Sequence, residues 1–388
     1  MAEELSSYEK WQIELAQEHL PFDVEGWAGV LEEAELTFPT VFVEFHPQDA
    51  QAVITAYRHR FNINNASGTD GMTYEAAVGR LSEVEAQIDA SLPSGWNGMF
   101  VRLSSRSPKD GMAFQASGDQ ILEAYQRAHE ARMSALQQIN DGSWDEADME
   151  ACARICALGD VTGPLLRVDS GAAALALIAS SERVYTDLLR ALVVWKATGE
   201  WSTRISLRKW DPRVHHTLEF RVFVHGGAVV AISQYNHYVC IPKLVSSPGI
   251  LERITSDVVR IQRRVQRALG PDLDTYILDI AIFDDEFDGV NDHAGGIVIE
   301  LNPYRTTTGA ALFDWRHDAS ILYPDPDPRS EEKDIPFRIH RQPVPELVHL
   351  ADAMQHEFLD LVRTSAPTPP SSHPSEPSEP SESSCHIL

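Results

Sequence analysis

Three side chains that carry oxygen ligands, those of Asp279, Glu300 and Asn302, lie in two nearby segments of this 388-residue chain that have the alternating pattern of β-strands. The segment Tyr276 to Tyr304 predicts two short strands joined by a polar loop, with Asp279 on one face of the first strand. Glu300 and Asn302 share a face of the second strand. A hairpin would bring Asp279 close to both, and two carboxylates with an amide oxygen suit a hard cation that also binds phosphate. The alternative is that the three residues lie on the wet face of an antiparallel hairpin.

A cluster of donors lies at the end of another predicted strand, in the segment Met99 to Ser107. Its members are Arg102, Ser104, Ser105 and Arg106. Arginine forms charge-assisted and often bidentate bonds with anions, so the cluster predicts a phosphate site. The alternative is that these arginines pair with surplus carboxylates of the same chain.

The charge of the chain is strongly acidic, with 58 acidic against 32 basic residues and a formal net charge of −26. Such a field opposes direct nucleic-acid binding and favours partners with basic patches. The apolar run Ala172 to Trp195 is interrupted by charged residues, so we expect a pair of buried helices there and not a membrane span. The N-terminus shows no signal region, and we expect a cytoplasmic location.

The four cysteines have no paired CxxC spacing, which argues against a disulfide framework or a zinc site. Cys152 and Cys156 lie one helical turn apart, which is typical of a core face. Residues 364–388 are rich in Ser, Pro and Glu, and this composition predicts a disordered tail. The tail ends in a C-a-a-X pattern at Cys385, so a membrane becomes a partner if that cysteine is prenylated.

The elements that must position the polar residues alternate between amphipathic helices and short strands, which predicts the α+β class. Predicted helices are Asp49–Phe61, Thr73–Leu92, Ser117–Ile139, Ser143–Leu158, Ile250–Leu269 and Val344–Arg363, and predicted strands are Thr40–Phe45, Asp160–Val168, Arg204–Trp210, Leu218–Val224 and Val229–Tyr235. Ser6 or Ser7 and Ser181 are candidate helix caps. The loop Asp284–Gly295 is interpreted as a solvated hairpin loop, because its twelfth position lacks the glutamate of a calcium loop.

Several motifs occur in a characteristic order between about residue 80 and residue 320. They are Phe100-Val-Arg-Leu-Ser-Ser-Arg-Ser-Pro-Lys-Asp110, Ser180-Ser-Glu182, Leu207-Arg-Lys-Trp210, Glu219-Phe-Arg-Val-Phe-Val224, Ile232-Ser-Gln234, Leu278-Asp-Ile280, Glu300-Leu-Asn-Pro-Tyr304 and Leu312-Phe313. With these motifs the chain resembles the cell division cycle protein 123 family, which has an ATP-grasp architecture. The resemblance implies two α+β lobes with antiparallel sheets that enclose a nucleotide cleft.

The resemblance also implies roles for individual residues toward ATP and Mg²⁺. Arg102 takes the place of a phosphate-binding lysine, and Ser104 and Arg106 follow it in the same motif. The strand from Ser206 to Trp210 would lie alongside the adenine, and Arg221 would reach the phosphates. The residues implied for the cofactor are therefore Arg102, Ser104, Arg106, Ser206, Arg208, Lys209, Trp210, Arg221, Asp279, Glu300 and Asn302, of which Asp279, Glu300 and Asn302 would hold magnesium.

The organisation expected from the sequence has three parts. Residues 1–80 form a divergent, mostly helical segment, residues 81–363 form the ATP-grasp domain, and residues 364–388 form the tail. For the family, the implied role is chaperone-like assembly of the heterotrimeric translation initiation factor that delivers initiator tRNA, through binding of its γ subunit, and we expect a monomer.

Two other functions stay open from the sequence. The Glu300-x-Asn302 pattern is close to that of ATP-grasp ligases, so an ATP-dependent carboxylate–amine ligase acting through an acylphosphate is the alternative. Because both functions use ATP, the sequence leaves open whether the protein is an enzyme. A third interpretation is a pseudoenzyme tethered to membranes through Cys385.

Overall fold

The computed structural model describes residues 5–63, 71–111, 117–283, 295–324, 335–345 and 347–364. They divide into two compact units, and the chain passes between the units more than once. The first comprises Met1–Ala113, Gly163–His237 and Lys243–Ile339, and the second comprises Phe114–Thr162, Tyr238–Pro242 and His340–Leu388. The boundaries at residues 80 and 363 remain predictions. The loop 284–294, the tail after residue 364 and Cys385 lie outside the described residues.

The first unit contains a four-stranded antiparallel sheet. Its strands are β1 (Thr40–Val43), β2 (Met99–Leu103), β3 (Arg167–Val168) and β4 (Ile205–Lys209), in the order β1-β4-β2-β3. The register places Arg102 of β2 opposite Ser206 of β4. Val101 and Leu207 are fully buried and pack in one apolar cluster with the surrounding helices.

A second sheet of five strands lies in the same unit. Its strands are β5 (Glu219–His225), β6 (Ala228–Gln234), β7 (Tyr276–Ile282), β8 (Gly296–Asn302) and β9 (Phe337–Arg338), in the order β8-β7-β5-β6-β9. Neighbouring strands are antiparallel apart from the pair β6–β9, which is parallel. The turn between β5 and β6 uses Gly226 and Gly227 at φ 57° and 76°, a region that favours glycine. The predicted α+β class with antiparallel sheets is confirmed.

Helices surround the sheets and form most of the second unit. Those with all or most of their length in the first unit are α1 (Ser7–His19), α2 (Val24–Glu33), α3 (Pro47–Arg60), α4 (Tyr74–Ser91), α7 (Gly171–Ser180), α8 (Glu182–Thr198), α9 (Pro242–Ser246), α10 (Ile250–Leu269) and α11 (Ala319–Leu322). Those of the second are α5 (Gly118–Ile139), α6 (Glu146–Leu165, of which the part to Thr162 belongs to this unit) and α12 (Val348–Thr364). Short 3₁₀ turns occur at Leu20–Phe22 and His216–Leu218. None of the helices in the described part of the chain is long and apolar enough to cross a membrane.

Two helix caps predicted from the sequence are confirmed. Ser6 forms a capping box with Glu9 at the start of α1. Ser181 caps α8 by accepting a hydrogen bond from the amide of Val184, and its hydroxyl donates to Asp110 at 2.5 Å. The Asp110 carboxylate also accepts from the amide of Arg183, so the loop after β2 is attached to the start of α8.

Two predictions about the α6 region are wrong. The segment Asp160–Val168 is not one strand, because α6 continues through it to Leu165 and leaves a two-residue strand that pairs with the start of β2. The helical part keeps its buried face at helical spacing through Leu158 and Val161. The helix begins at Glu146 and not at Ser143, and the carboxylate of Asp145 accepts the amide of Ala147 in its first turn.

The cysteines of the second unit are core residues, which was predicted for Cys152 and Cys156. Cys152, Cys156 and Cys240 are buried and free. The amide of Cys240 donates to the sulfur of Cys152 at 3.3 Å. Burial raises the pKa of each thiol to about 12, so they stay protonated and unreactive at neutral pH.

Candidate functional site

Asp279 lies in the middle of strand β7, between β5 and β8 of the second sheet. It stands opposite Arg221 of β5 and opposite Glu300 of β8, next to an irregularity in the β7–β8 ladder. Its carboxylate accepts two bonds from Arg221, at 2.9 and 2.8 Å, and one from the amide nitrogen of Asn302 at 3.0 Å. Asp279 is 2% exposed, so the interpretation of these residues as a wet hairpin face is wrong.

Glu300 connects this sheet to the four-stranded sheet. Nη2 of Arg102 on β2 donates to Oε1 of Glu300 at 2.7 Å, with 3% and 20% of the two side chains exposed. Burial opposes ionisation of Glu300, but the charges of Arg102 and Lys109 outweigh it and lower its pKa to about 2. Glu300 is therefore a carboxylate throughout the physiological range.

Arg221 is the second buried cation of the site. Burial disfavours its charge, but the carboxylate of Asp279 outweighs that effect and raises the pKa of Arg221 above its ordinary value. A third donor, Nη1, bonds the carbonyl of Gly309 at 2.5 Å. The guanidinium also lies 5.0 Å from the ring centre of Tyr235. Arg221 is thus fixed from three sides.

Lys109 is a site residue that the sequence analysis did not select. Its ammonium lies 5.0 Å from the ring centre of Tyr235, the same ring that Arg221 contacts. The charges of Tyr235, Glu219, Glu300 and Asp279 raise the pKa of Lys109 above its ordinary value. The signal was present, because Lys109 stands in the same basic segment as Arg102 and Arg106.

The other donors of the strand-end cluster contact different groups. Arg106 bonds both oxygens of Asp187, at 2.7 and 3.3 Å, which matches the alternative of pairing within the chain. Ser104 donates to Glu25 at 2.6 Å, and its carbonyl accepts the amide of Val24. The start of α2 is therefore attached to the end of β2.

Asp23, the residue before α2, lies in this same neighbourhood. Burial, together with the charges of Glu25 and Asp187, raises the pKa of Asp23 to about 7, although the charge of Arg102 opposes the shift. No sequence pattern marks this residue, because Arg102 and Asp187 come from distant parts of the chain.

The predicted adenine strand, β4 together with the following Trp210, has residues in several different environments. Ser206 is fully buried, Lys209 is exposed, and Trp210 is half-buried with its amide donating to the carbonyl of Gly98. Arg208 is 1% exposed, and its guanidinium donates to the carbonyl of Ile299 at 2.6 Å. Burial and the like charge of Arg102 lower the pKa of Arg208 to about 9, which leaves it charged at neutral pH.

The structure thus brings together five of the predicted residues: Arg102, Arg221, Asp279, Glu300 and Asn302. Their donor set fits a hard cation with a phosphate ligand, since it combines two carboxylates and an amide oxygen with two arginines.

Comparison with known proteins gives a consistent assignment. The sequence profile of the family described as D123 matches residues 162–359, just over half of the chain. A translation initiation factor eIF2 assembly protein of Lodderomyces elongisporus is 28% identical over 180 residues, which is 42% of this chain and 42% of that protein. The chain thus matches less than half of the length of this relative.

Three solved structures are similar at greater distance. Cdc123 from Schizosaccharomyces pombe is 15% identical with a TM-score of 0.49, covering 83% of this chain and 96% of that one. Its C-terminally truncated form is 16% identical with a TM-score of 0.47, covering 84% and 98%. A RimK-domain ATP-grasp protein from Sphaerobacter thermophilus is 16% identical with a TM-score of 0.19, covering 35% and 40%. These scores are too low to carry an inference about the site.

Proposed function

The chain belongs to the D123 family, and we propose that it is an ATP- and magnesium-binding assembly protein for a translation initiation factor. The observation that carries the nucleotide part of the proposal is the juxtaposition of Asp279, Glu300 and Asn302 with two arginines. The assembly part rests on the family and on the similarity to the eIF2 assembly protein from Lodderomyces elongisporus.

The ion pairs of the site support binding of a phosphate with its metal. Each carboxylate now has a cationic partner: Arg102 for Glu300, and Arg221 for Asp279. In the complex, Asp279, Glu300 and the amide oxygen of Asn302 would hold magnesium, and the arginines would bond phosphate oxygens. Bound magnesium would neutralise phosphate charge. Since these two carboxylates and their arginines would keep opposite charges nearby, binding would avoid leaving any of the four as an unpaired ion in the core.

Lys109 is a third cation of the site, and the ring of Tyr235 lies next to it. The ring centre of Tyr235 lies 5.0 Å from the ammonium of Lys109 and 5.0 Å from the guanidinium of Arg221, so one aromatic ring attracts both cations. Lys109 is exposed, whereas Arg221 is buried. Lys109 would therefore meet a phosphate from the solvent side.

The role proposed for nucleotide is to stabilise a binding-competent protein and not to drive a chemical step. A ligand that binds the folded state stabilises it by a few kcal/mol at saturation. The partner would be the γ subunit of the factor, and the net charge of −26 suits a partner with a basic surface.

The test is capture of purified γ subunit by the full chain, with ATP and magnesium, with ATP and a chelator, or without nucleotide. Phosphate release is measured in the same mixtures. The proposal predicts capture that is strongest with ATP and magnesium, and no phosphate release linked to capture. Absence of capture in all three mixtures would refute the assembly role.

The same assay separates the carboxylate–amine ligase. A pool of amino acids is added in place of the γ subunit. Phosphate release that rises with an added amine or carboxylate would identify a ligase, because attack of the amine on the acylphosphate releases one phosphate for each amide bond formed.

A further inference from the structure

Arg208 is a buried cation whose hydrogen-bond acceptors are neutral. Nη1 donates to the carbonyl of Ile299 at 2.6 Å, and Nη2 donates to the hydroxyl of Thr37 at 2.6 Å. The guanidinium lies 4.6 Å from the ring centre of Phe38 and 5.3 Å from that of Trp27. An apolar side chain of the same size would fill this space without burying a charge, so packing alone does not account for an arginine here.

Thr37 extends the contact to the preceding residue of β8. Its hydroxyl donates to the carbonyl of Val298 at 2.8 Å, and the amide of Val298 donates to Leu36 at 2.8 Å. Two consecutive carbonyls of β8, those of Val298 and Ile299, are therefore held from the side of the four-stranded sheet. We call Arg208 and Thr37 with these two carbonyls the β8 clamp.

The clamp acts directly on the backbone of a candidate metal ligand. The carbonyl of Ile299 and the amide of Glu300 belong to one planar peptide unit, so fixing that carbonyl fixes the direction in which the chain enters Glu300. Arg102 of the neighbouring strand β2 then bonds the side chain of Glu300 at 2.7 Å. One arginine of the four-stranded sheet thus holds the peptide group that leads into Glu300, and a second holds the Glu300 side chain.

We propose that Arg208, together with Thr37, positions Glu300 for the cation and does not itself contact the nucleotide. The metal part of this inference rests on the proposed function, whereas the clamp itself does not. It differs from the role implied by the resemblance, in which the strand of Arg208 lies alongside the adenine.

The clamp is tested first on the unliganded protein by amide hydrogen exchange. Arg208→Met should raise the exchange rates of the β8 amides at least about tenfold, the size expected from loss of a charge-assisted hydrogen bond. Thr37→Val should raise them less, and Arg204→Met is the matched control, because Arg204 precedes the same strand but pairs with Glu44 at the surface. Unchanged β8 exchange in Arg208→Met would overturn the clamp.

The positioning role is tested by ATP affinity with and without magnesium. The ratio of ATP affinity with magnesium to ATP affinity without it should be at least about tenfold smaller in Arg208→Met than in the wild type. The affinity for magnesium-free ATP should change by less than about threefold. Equal loss in both conditions would show a nucleotide contact and overturn the proposal. If Arg208→Met does not fold, Arg208→Lys and Thr37→Val give the same comparison, with smaller expected losses of the magnesium gain and the same overturning result. Absence of ATP binding by the wild type would refute the proposed function, while the exchange result would still decide the clamp.

Discussion

Replacement of Glu300 by glutamine should destabilise the protein in a pH-dependent way. The substitution keeps the shape of the side chain but leaves the buried guanidinium of Arg102 without its carboxylate, 2.7 Å away in the wild type. Since protonation of Glu300 removes the same charge, acid should make the wild type resemble the variant. The difference in the free energy of unfolding between the two proteins therefore reports the Arg102–Glu300 pair.

The magnitude follows from the pKa of Glu300, which the structure lowers from 4.5 to about 2. A depressed acid pKa gives stability that is present above the unfolded pKa and lost as pH falls through the folded pKa. A shift of about 2.5 pKa units corresponds to roughly 3 kcal/mol at pH 7. By the same relation, about 2 kcal/mol of this should disappear between pH 5 and pH 3.

The assay is urea denaturation of wild type and Glu300→Gln across that pH range. Glu44→Gln is the matched control, because Glu44 also pairs with an arginine but is 66% exposed, and its effect should be below about 1 kcal/mol at any pH. Parallel curves for wild type and Glu300→Gln between pH 5 and pH 3 would refute the assignment of Glu300 as a buried, strongly paired carboxylate.

Three further predictions concern other parts of the first unit. Asp279→Asn should cost about 3–5 kcal/mol in urea denaturation, because Arg221 then stays buried without an opposite charge, and Arg221→Met in the same chain should recover part of that loss. The pKa of Asp23 is raised to about 7, so its contribution to stability is present below the unfolded pKa and is lost as pH rises through 7. Asp23→Asn should therefore have a higher melting temperature than the wild type at pH 8. The two melting temperatures should converge toward pH 4. Ser181→Ala should cost about 1–2 kcal/mol in chemical denaturation, since it removes the cap of α8 and the bond to Asp110.

The hairpin of the site could be predicted because strand periodicity determines which side chains share a face. Alternation alone placed Asp279 beside Glu300 and Asn302, and the register of β7 and β8 agrees. The helix Ile250–Leu269 was predicted to the residue, since Gly249 and Gly270 flank a strongly amphipathic segment.

The partners of the arginines could not be predicted in the same way. Arg208 bonds the carbonyl of Ile299 and Arg221 that of Gly309, and a backbone acceptor leaves no trace in residue type. The contact between Ser104 and Glu25 joins residues 79 positions apart, so no local pattern contains it. The segment Asp160–Val168 was misassigned because a short apolar run fits a strand as well as the end of a buried helix.

The measurement that tests the central claim most directly is calorimetric titration of the full chain with ATP, with and without magnesium. The proposed site predicts that the wild type binds ATP more tightly with magnesium, and that Asn302→Ala loses most of this gain without leaving a buried charge unpaired. Alanine at both Asp279 and Asn302 should abolish the magnesium dependence. ATP binding that is identical with and without magnesium, or a magnesium gain that survives in Asn302→Ala and in the double variant, would contradict the assignment of Asp279, Glu300 and Asn302 as the metal site.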